Sequence, residues 1–315
     1  MIRTSRRRRL AAFATAIAGV IVLAGCADSG TAPAQPGSAD TSGYDAIIAG
    51  SPVADPSAIT PGSWAEKVKQ RGTLNVGGTD AGPLFSLKDP STGKVTGFDA
   101  GLSQMLAHYI TGKPTANTQL TITTVDTRET LIQNGTVDAV FATYTITPAR
   151  ASKVAFAGPY YESGDAIMVK ADNTSINTVT DLNGKTVATE ANSTAVLALQ
   201  KAAPGAKTLL FQEDAQCVAA VQQGRADAYV LDQGILISDA STNNPAVKVV
   251  GEPFTQEPYG IGLPLADLTA KQFVNDWLRK IYADGSWAKL WKATIGTVVK
   301  GDPPAPPEIG SVAGS

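Results

Sequence analysis

Histidine is nearly missing from this 315-residue chain: His108 stands alone, and cysteine occurs only at Cys26 and Cys217. Imidazole and thiolate are therefore too scarce for a metal centre, and neither G-x-S-x-G nor H-E-x-x-H occurs, so the usual hydrolase and zinc-peptidase signatures are absent. Positive charge is not in excess either. Lys and Arg number 26 against 28 Asp and Glu, and five of the basic residues fall within the first 25 positions. Beyond that segment 21 basic residues face 28 acidic ones, a net charge of about −7 with His108 neutral, the opposite of the basic face that nucleic acid requires. No metal, cofactor or nucleic-acid partner is expected.

What the chain does have begins with a processing signal. Arg3 and Arg6 to Arg9 form a basic head, residues 10–23 are almost wholly apolar, and Leu23-Ala24-Gly25-Cys26 follows. The apolar run is short for a membrane span. The segment is similar to a bacterial lipoprotein signal peptide, cleaved before a cysteine that then takes lipid on its sulfur; an ordinary secretory signal with a chance cysteine is the plainer alternative. The arginine cluster leaves both the general secretory and the twin-arginine routes open. Residues 1–25 are read as the signal peptide and residues 26–62, rich in Ala, Ser, Gly, Pro and Asp, as a flexible tether. A Pro-rich tail, residues 301–315, closes the chain. About 240 residues lie between, enough for two lobes with their own cores. If Cys26 carries lipid, Cys217 has no disulfide partner and is read as a buried helix residue.

A unit repeats within those 240 residues. A helical stretch from Arg128 to Asn134 ends at Gly135 and leads through Asp138-Ala139 into a strand at Val140; a second from Cys217 to Gln223 ends at Gly224 and leads through Asp227-Ala228 into a strand at Tyr229. Strands are expected at Thr73 to Val76 and at Thr186 to Thr189, and an amphipathic helix running through His108 to Tyr109 after a turn at Pro90 to Gly93. Strands alternating with helices predict an α/β fold with mainly parallel sheets and helices on both faces.

The segments TLNVGGTD, DPSTGKVTGFDAGL, QNGTVDAVFATYTITPARASKVAFAGPYY, DLNGKTVATEANST, CVAAVQQGRADAYVLDQ, EPYGIGLP and IYADGSWAKLWK stand in this order. In that order the chain resembles the polar-amino-acid solute-binding proteins of ABC importers (bacterial extracellular solute-binding protein family 3), in particular the glutamate/aspartate/glutamine-binding lipoproteins of actinobacteria. The resemblance implies a two-lobed periplasmic-binding-protein-like fold of type II with two hinge crossovers, near residues 161–166 and 251–257. Lobe 1 would take residues 63–163 and 256–300, lobe 2 residues 164–255. It also implies a receptor, not an enzyme, that closes on a free amino acid and delivers it to permease subunits.

A free amino acid exposes an ammonium and a carboxylate, and hiding both from water requires partners of opposite charge. Arg150, at the end of Thr145-Ile146-Thr147-Pro148-Ala149-Arg150, is the candidate for the α-carboxylate, helped by the hydroxyl and N–H of Thr145; a surface arginine opening a helix is the plain alternative. Asp232, at the end of the second repeat, is the candidate for the ammonium, as the family's corresponding aspartate is, with Thr143 pointing to the same side as Thr145. Ser193 and Thr194, after Asn192 and before a helix, offer hydroxyls to a carboxylate or merely cap that helix; relatives commonly have glycine where Asn192 stands. Arg128 aligns with a position that contacts the distal carboxylate in some aspartate/glutamate binders, or braces the helix start. Asp80 and Phe85 fall on the loop that would cover the ligand, with Phe85 either stacking or filling core. Glutamate or aspartate is the expected ligand, with glutamine or asparagine next. The expected setting is the outer face of the cytoplasmic membrane, as a monomer held by lipid on Cys26. Two other outputs stay open: signalling to a membrane sensor in place of a permease, and dehydratase-like chemistry on the same fold.

Overall fold

The computed structural model describes residues 42–113, 118–243 and 246–315. Cys26, the signal segment and the first part of the expected tether lie outside the described residues. The chain opens with α1 (Ser42–Ala49) and α2 (Trp64–Arg71), then β1 (Leu74–Gly78) and a small sheet of β2 (Ala81–Gly82), β3 (Ser86–Lys88) and β4 (Val95–Thr96). There follow α3 (Phe98–Thr111), β5 (Thr118–Ile122), α4 (Arg128–Gln133), β6 (Ala139–Val140), α5 (Pro148–Ala151) and β7 (Ala155–Ser163). The second lobe runs through β8 (Asp165–Lys170), β9 (Thr186–Glu190), α6 (Thr194–Ala202), β10 (Lys207–Phe211), α7 (Asp214–Gln222), β11 (Ala228–Asp232), α8 (Gln233–Asn243) and β12 (Val247–Val250). The chain returns to the first lobe with β13 (Glu257–Leu263), α9 (Leu268–Ala283) and α10 (Ser286–Ala293).

Each lobe holds a five-stranded sheet, ordered β5-β1-β6-β13-β7 in the first and β10-β9-β11-β8-β12 in the second. The three strands linked through helices are parallel in both, as the alternating pattern predicts; the strands that carry the chain between lobes, β7, β8 and β13, run antiparallel to their neighbours, as does β12. Only Gly164 separates β7 from β8, and a Cβ there would fall 2.3 Å from the Thr255 carbonyl oxygen. The two crossings touch at that point: the Asp165 N–H donates to Thr255 Oγ1 at 2.7 Å, and the Phe254 N–H to the Asp165 carbonyl at 2.8 Å.

The repeat read in the sequence is a repeat of bonds. Asp138 Oδ2 accepts from the N–H of Asn75 at 2.7 Å, and Asp227 Oδ2 from that of Thr186 at 2.8 Å; in the other direction the Asp138 and Asp227 N–H groups donate to the carbonyls of the same two residues. Each aspartate so staples the start of its strand to the neighbouring one. Gly135 and Gly224 both take φ +73°, the left-handed turn that ends the preceding helix.

Two expectations are corrected. The expected tether is folded from Ser42 onward: α1 packs between α3 and α10, with Tyr44, Ile48, Ala54 and Ile59 buried in the first lobe's main core and the Tyr44 hydroxyl donating to the Gly97 carbonyl. Four apolar side chains spaced through an otherwise small and polar stretch suffice, because α3, buried along nearly its whole length, needs a cover. The tail is also seated, with Ile309 and Val312 against the first lobe's two cores and the Gly310 N–H donating to the Gly158 carbonyl at 2.9 Å. His108 and Cys217 are buried helix residues, His108 Nδ1 donating to the Lys113 carbonyl at 2.6 Å and burial pushing the Cys217 thiol pKa up.

Candidate functional site

Parallel strands of both lobes end facing one another, and between them lies a cavity of about 370 Å³. Its first-lobe wall includes Asp80, Phe85, Arg128 and Thr143; its second-lobe wall includes Glu190, at the end of β9, with Glu213, Asp214 and Asp239. The lobes are in contact around it. The Leu84 N–H donates to Ser238 Oγ at 3.0 Å, Asn192 Nδ2 to Asp126 Oδ1 at 2.6 Å, and Gly234 packs against the Phe85 ring.

Arg128 opens α4 and is only 5% exposed. One Nη donates to the Ala142 carbonyl at 3.2 Å and the guanidinium lies over the Tyr144 ring, 3.8 Å from its centroid; among the described residues Nε has no partner. Burial, with the like charge of Arg150, pulls its pKa down to about 10, so it stays charged at neutral pH. Arg150 approaches the same ring at 5.4 Å, half-buried, with Nη1 donating to the Thr145 carbonyl at 3.0 Å. Tyr144 thus carries two cations on lobe 1, an arrangement that cation–π attraction supports.

Lobe 2 faces them with acid. Burial and then the neighbouring Asp214 push Glu190 up to about 8. Asp214 and Asp239 hydrogen-bond to one another and both rise because of burial, so the pair holds a proton; the Tyr229 hydroxyl donates to Asp214 Oδ1 at 2.7 Å. At the crossings a third group gathers. Asp232 stands opposite Asp165 across β11 and β8, Glu257 adjoins both, and all three are nearly or fully buried. Burial raises Asp165 and Asp232, and the like charges around them raise both further, while Arg150 opposes the rise at Asp232. Both carboxyl oxygens of Asp165 and one of Asp232 lack hydrogen-bond partners among the described residues.

Of the residues the sequence points to, Asp80, Phe85, Arg128 and Thr143 line the cavity; Arg150, Thr145, Asp232, Ser193 and Thr194 do not. Phe85 serves both readings, since it is buried edge-on against Tyr161 and Tyr259 at 5.7 and 6.0 Å while facing the cavity. The expectation that Thr143 and Thr145 share a strand face is corrected. β6 ends at Val140, Thr143 has φ +44°, and its N–H donates to the buried Asp99 Oδ2 at 2.7 Å, so two-residue alternation no longer applies. Thr145 is buried, with its carbonyl occupied by Arg150. Ser193 is the N-cap of α6, but its hydroxyl donates backwards to the Glu190 carbonyl at 2.7 Å and so is not free for a ligand. Asn192 takes φ +60°, the conformation a glycine would adopt and one that asparagine tolerates. Sequence reasoning missed Glu190, Asp214 and Asp239. The strand-end rule that singles out Asp232 applies equally to Glu190.

Residues 74–297 match the bacterial extracellular solute-binding proteins, family 3. A glutamine-binding protein of Geobacillus stearothermophilus is 39% identical over 198 residues, covering 62% of this chain and 74% of that protein. The glutamate-binding protein GluB of Corynebacterium efficiens is 33% identical over 236 residues, covering 72% and 80%. Among solved structures, an ancestral arginine-binding protein bound to glutamine is similar with a TM-score of 0.66 at 34% identity, covering 72% of this chain and 99% of that one.

Proposed function

Because the chain belongs to the bacterial extracellular solute-binding proteins of family 3, we propose that it captures a free polar amino acid between its lobes and delivers it to the permease of an ABC importer. The observation that carries this reading is the cavity itself, with a buried arginine on one wall and carboxyls on the other. A zwitterion presents the complementary pair of charges, and burying it there replaces the water that both walls lose on closure. Arg150 and Asp232 stand outside the cavity lining but next to it, Arg150 on the same Tyr144 ring as the lining Arg128 and Asp232 next in sequence to the lining Leu231; on closure Arg150 turns from the Thr145 carbonyl to the ligand's α-carboxylate, and the Asp232 carboxyl turns to accept from the ammonium. That ammonium adds positive charge beside the buried Asp165, Asp232 and Glu257, where Arg150 alone opposes the rise at Asp232. The names of the glutamine-, glutamate- and arginine-binding relatives support a polar amino acid as the class.

The receptor works as a monomer at the outer face of the cytoplasmic membrane, anchored by lipid on Cys26. Glutamate or aspartate is the natural choice if Arg128 dominates the side-chain end of the cavity; the acids facing it weigh against that choice. Titration calorimetry of the mature chain against polar amino acids, with leucine and citrate as controls, tests the reading: saturable one-to-one binding of a polar amino acid is expected. Binding of none of them defeats the receptor assignment, and turnover of the bound molecule defeats the non-enzymatic one. Metabolic labelling with palmitate, compared with Cys26→Ala, tests the anchor.

A further inference from the structure

The cavity walls are unequal in charge. Among the described residues Arg128 is the one cation lining the cavity, against Asp80, Glu190, Glu213, Asp214 and Asp239. Among the described residues Arg128 makes no ion pair with any of these acids. Glu190 is close enough to feel its charge, and the space between them belongs to the cavity. From this asymmetry we infer that the amino acid bound here carries a positively charged side chain, a guanidinium or an ammonium, whose head lies against Glu190 and the Asp214–Asp239 pair. The inference rests on the receptor reading above and names the ligand class for that same site.

Charge matching decides between the candidates. A dicarboxylic amino acid places two anions and one cation in the site. Arg150 and Arg128 would each take a carboxylate and Asp232 the ammonium, leaving the remaining acidic wall facing added negative charge. A cationic amino acid places one anion and two cations: the arginines on Tyr144 share the α-carboxylate, Asp232 takes the ammonium, and the second-lobe wall receives the side chain. Each N–H of that side chain then meets a charged acceptor, the stronger class of hydrogen bond. A neutral amide has two donors for the same wall but no charge to offset it. Two features make the wall adaptable. Asp214 and Asp239 share a proton, and Glu190 is held largely neutral at pH 7; an arriving cation favours the ionised forms, so binding expels protons. Asp80, on the opposite wall, extends the acidic lining to the first lobe.

The test is titration calorimetry of the full mature chain with arginine, lysine, glutamine, glutamate and aspartate at pH 7, in two buffers of different ionisation enthalpy. Arginine or lysine is expected to bind about 100-fold or more tighter than glutamate or aspartate, with an enthalpy that differs between buffers because protons are released. Glu190→Gln is expected to lower the arginine-to-glutamine affinity ratio by at least about tenfold; circular dichroism and melting of the ligand-free variant confirm that it is folded. Tighter binding of glutamate or aspartate overturns the inference, and so does glutamine as the sole ligand, while either result leaves the receptor reading intact. Failure of all five to bind removes that reading as well.

Discussion

Alanine in place of Gly234 adds one methyl group where the lobes meet. Gly234 lies in the first turn of α8 on the second lobe, and a Cβ built there falls 2.9 Å from Cζ and 3.2 Å from Cε2 of Phe85 on the first. The ring has little room to withdraw, because it is 3% exposed and wedged against Tyr161 and Tyr259. Overpacking of this kind costs about 1–3 kcal/mol. With the lobes apart the same methyl meets only water, and alanine is the better helix former by up to about 1 kcal/mol in either state. The clash therefore falls wholly on closure. At 1.4 kcal/mol per decade, affinity for whichever amino acid the wild type binds drops by about 5- to 150-fold, while the ligand-free melting temperature stays level or rises. In a double-mutant cycle Phe85→Leu, which shortens the ring away from the new methyl, recovers most of the loss. Calorimetric affinity within twofold of wild type would refute the reasoning, as would a loss of affinity matched by an equal loss of ligand-free stability.

Three further outcomes follow from the same contacts. Arg150→Ala removes at least about 2 kcal/mol of binding, read by calorimetry, while the urea stability of the free protein changes by no more than its bond to Thr145 and its place over the Tyr144 ring, together about 1–2 kcal/mol. Ile48→Ala, at 2% exposure in α1, lowers the free energy of urea unfolding by about 2–4 kcal/mol; no change would return the segment to the status of a tether. The third outcome concerns pH. Glu190 rises from 4.5 to about 8 on folding, so the folded state binds more protons in that window. Ligand-free stability therefore falls as pH climbs from about 4.5 to 8, and Glu190→Gln flattens the slope; urea midpoints at pH 5, 6.5 and 8 that do not move in the wild type would show that Glu190 titrates normally.

Local chemistry is the part of this fold most legible in the sequence. The glycine that ends each helix and the aspartate that staples each following strand are short-range devices, so both repeats were visible as letters before they were visible as bonds. The two-residue alternation that places Thr143 beside Thr145 stops at Val140, beyond which the bond from the Thr143 N–H to Asp99 turns the chain. Glu190, Asp214 and Asp239 escaped notice for a different reason: they lie on β9, α7 and α8, and only assembly of the second lobe gathers them on one wall. Residues 42–59 hid their burial in composition, since Tyr44, Ile48, Ala54 and Ile59 are too few to raise the mean hydropathy of their surroundings.

Gly164 has a consequence at a distance. Because both chain crossings are bonded to each other beside a residue that cannot accept a side chain, they are tied together at one point. For any swing of the lobes about that point, a small angular change there becomes a large displacement at the rims, in proportion to their distance from it. A membrane partner that touches only the two rims can thus register whether the interior is filled without contacting the bound molecule. Variation in the cavity lining can change what is carried while leaving the swing, and so the message read from outside, the same.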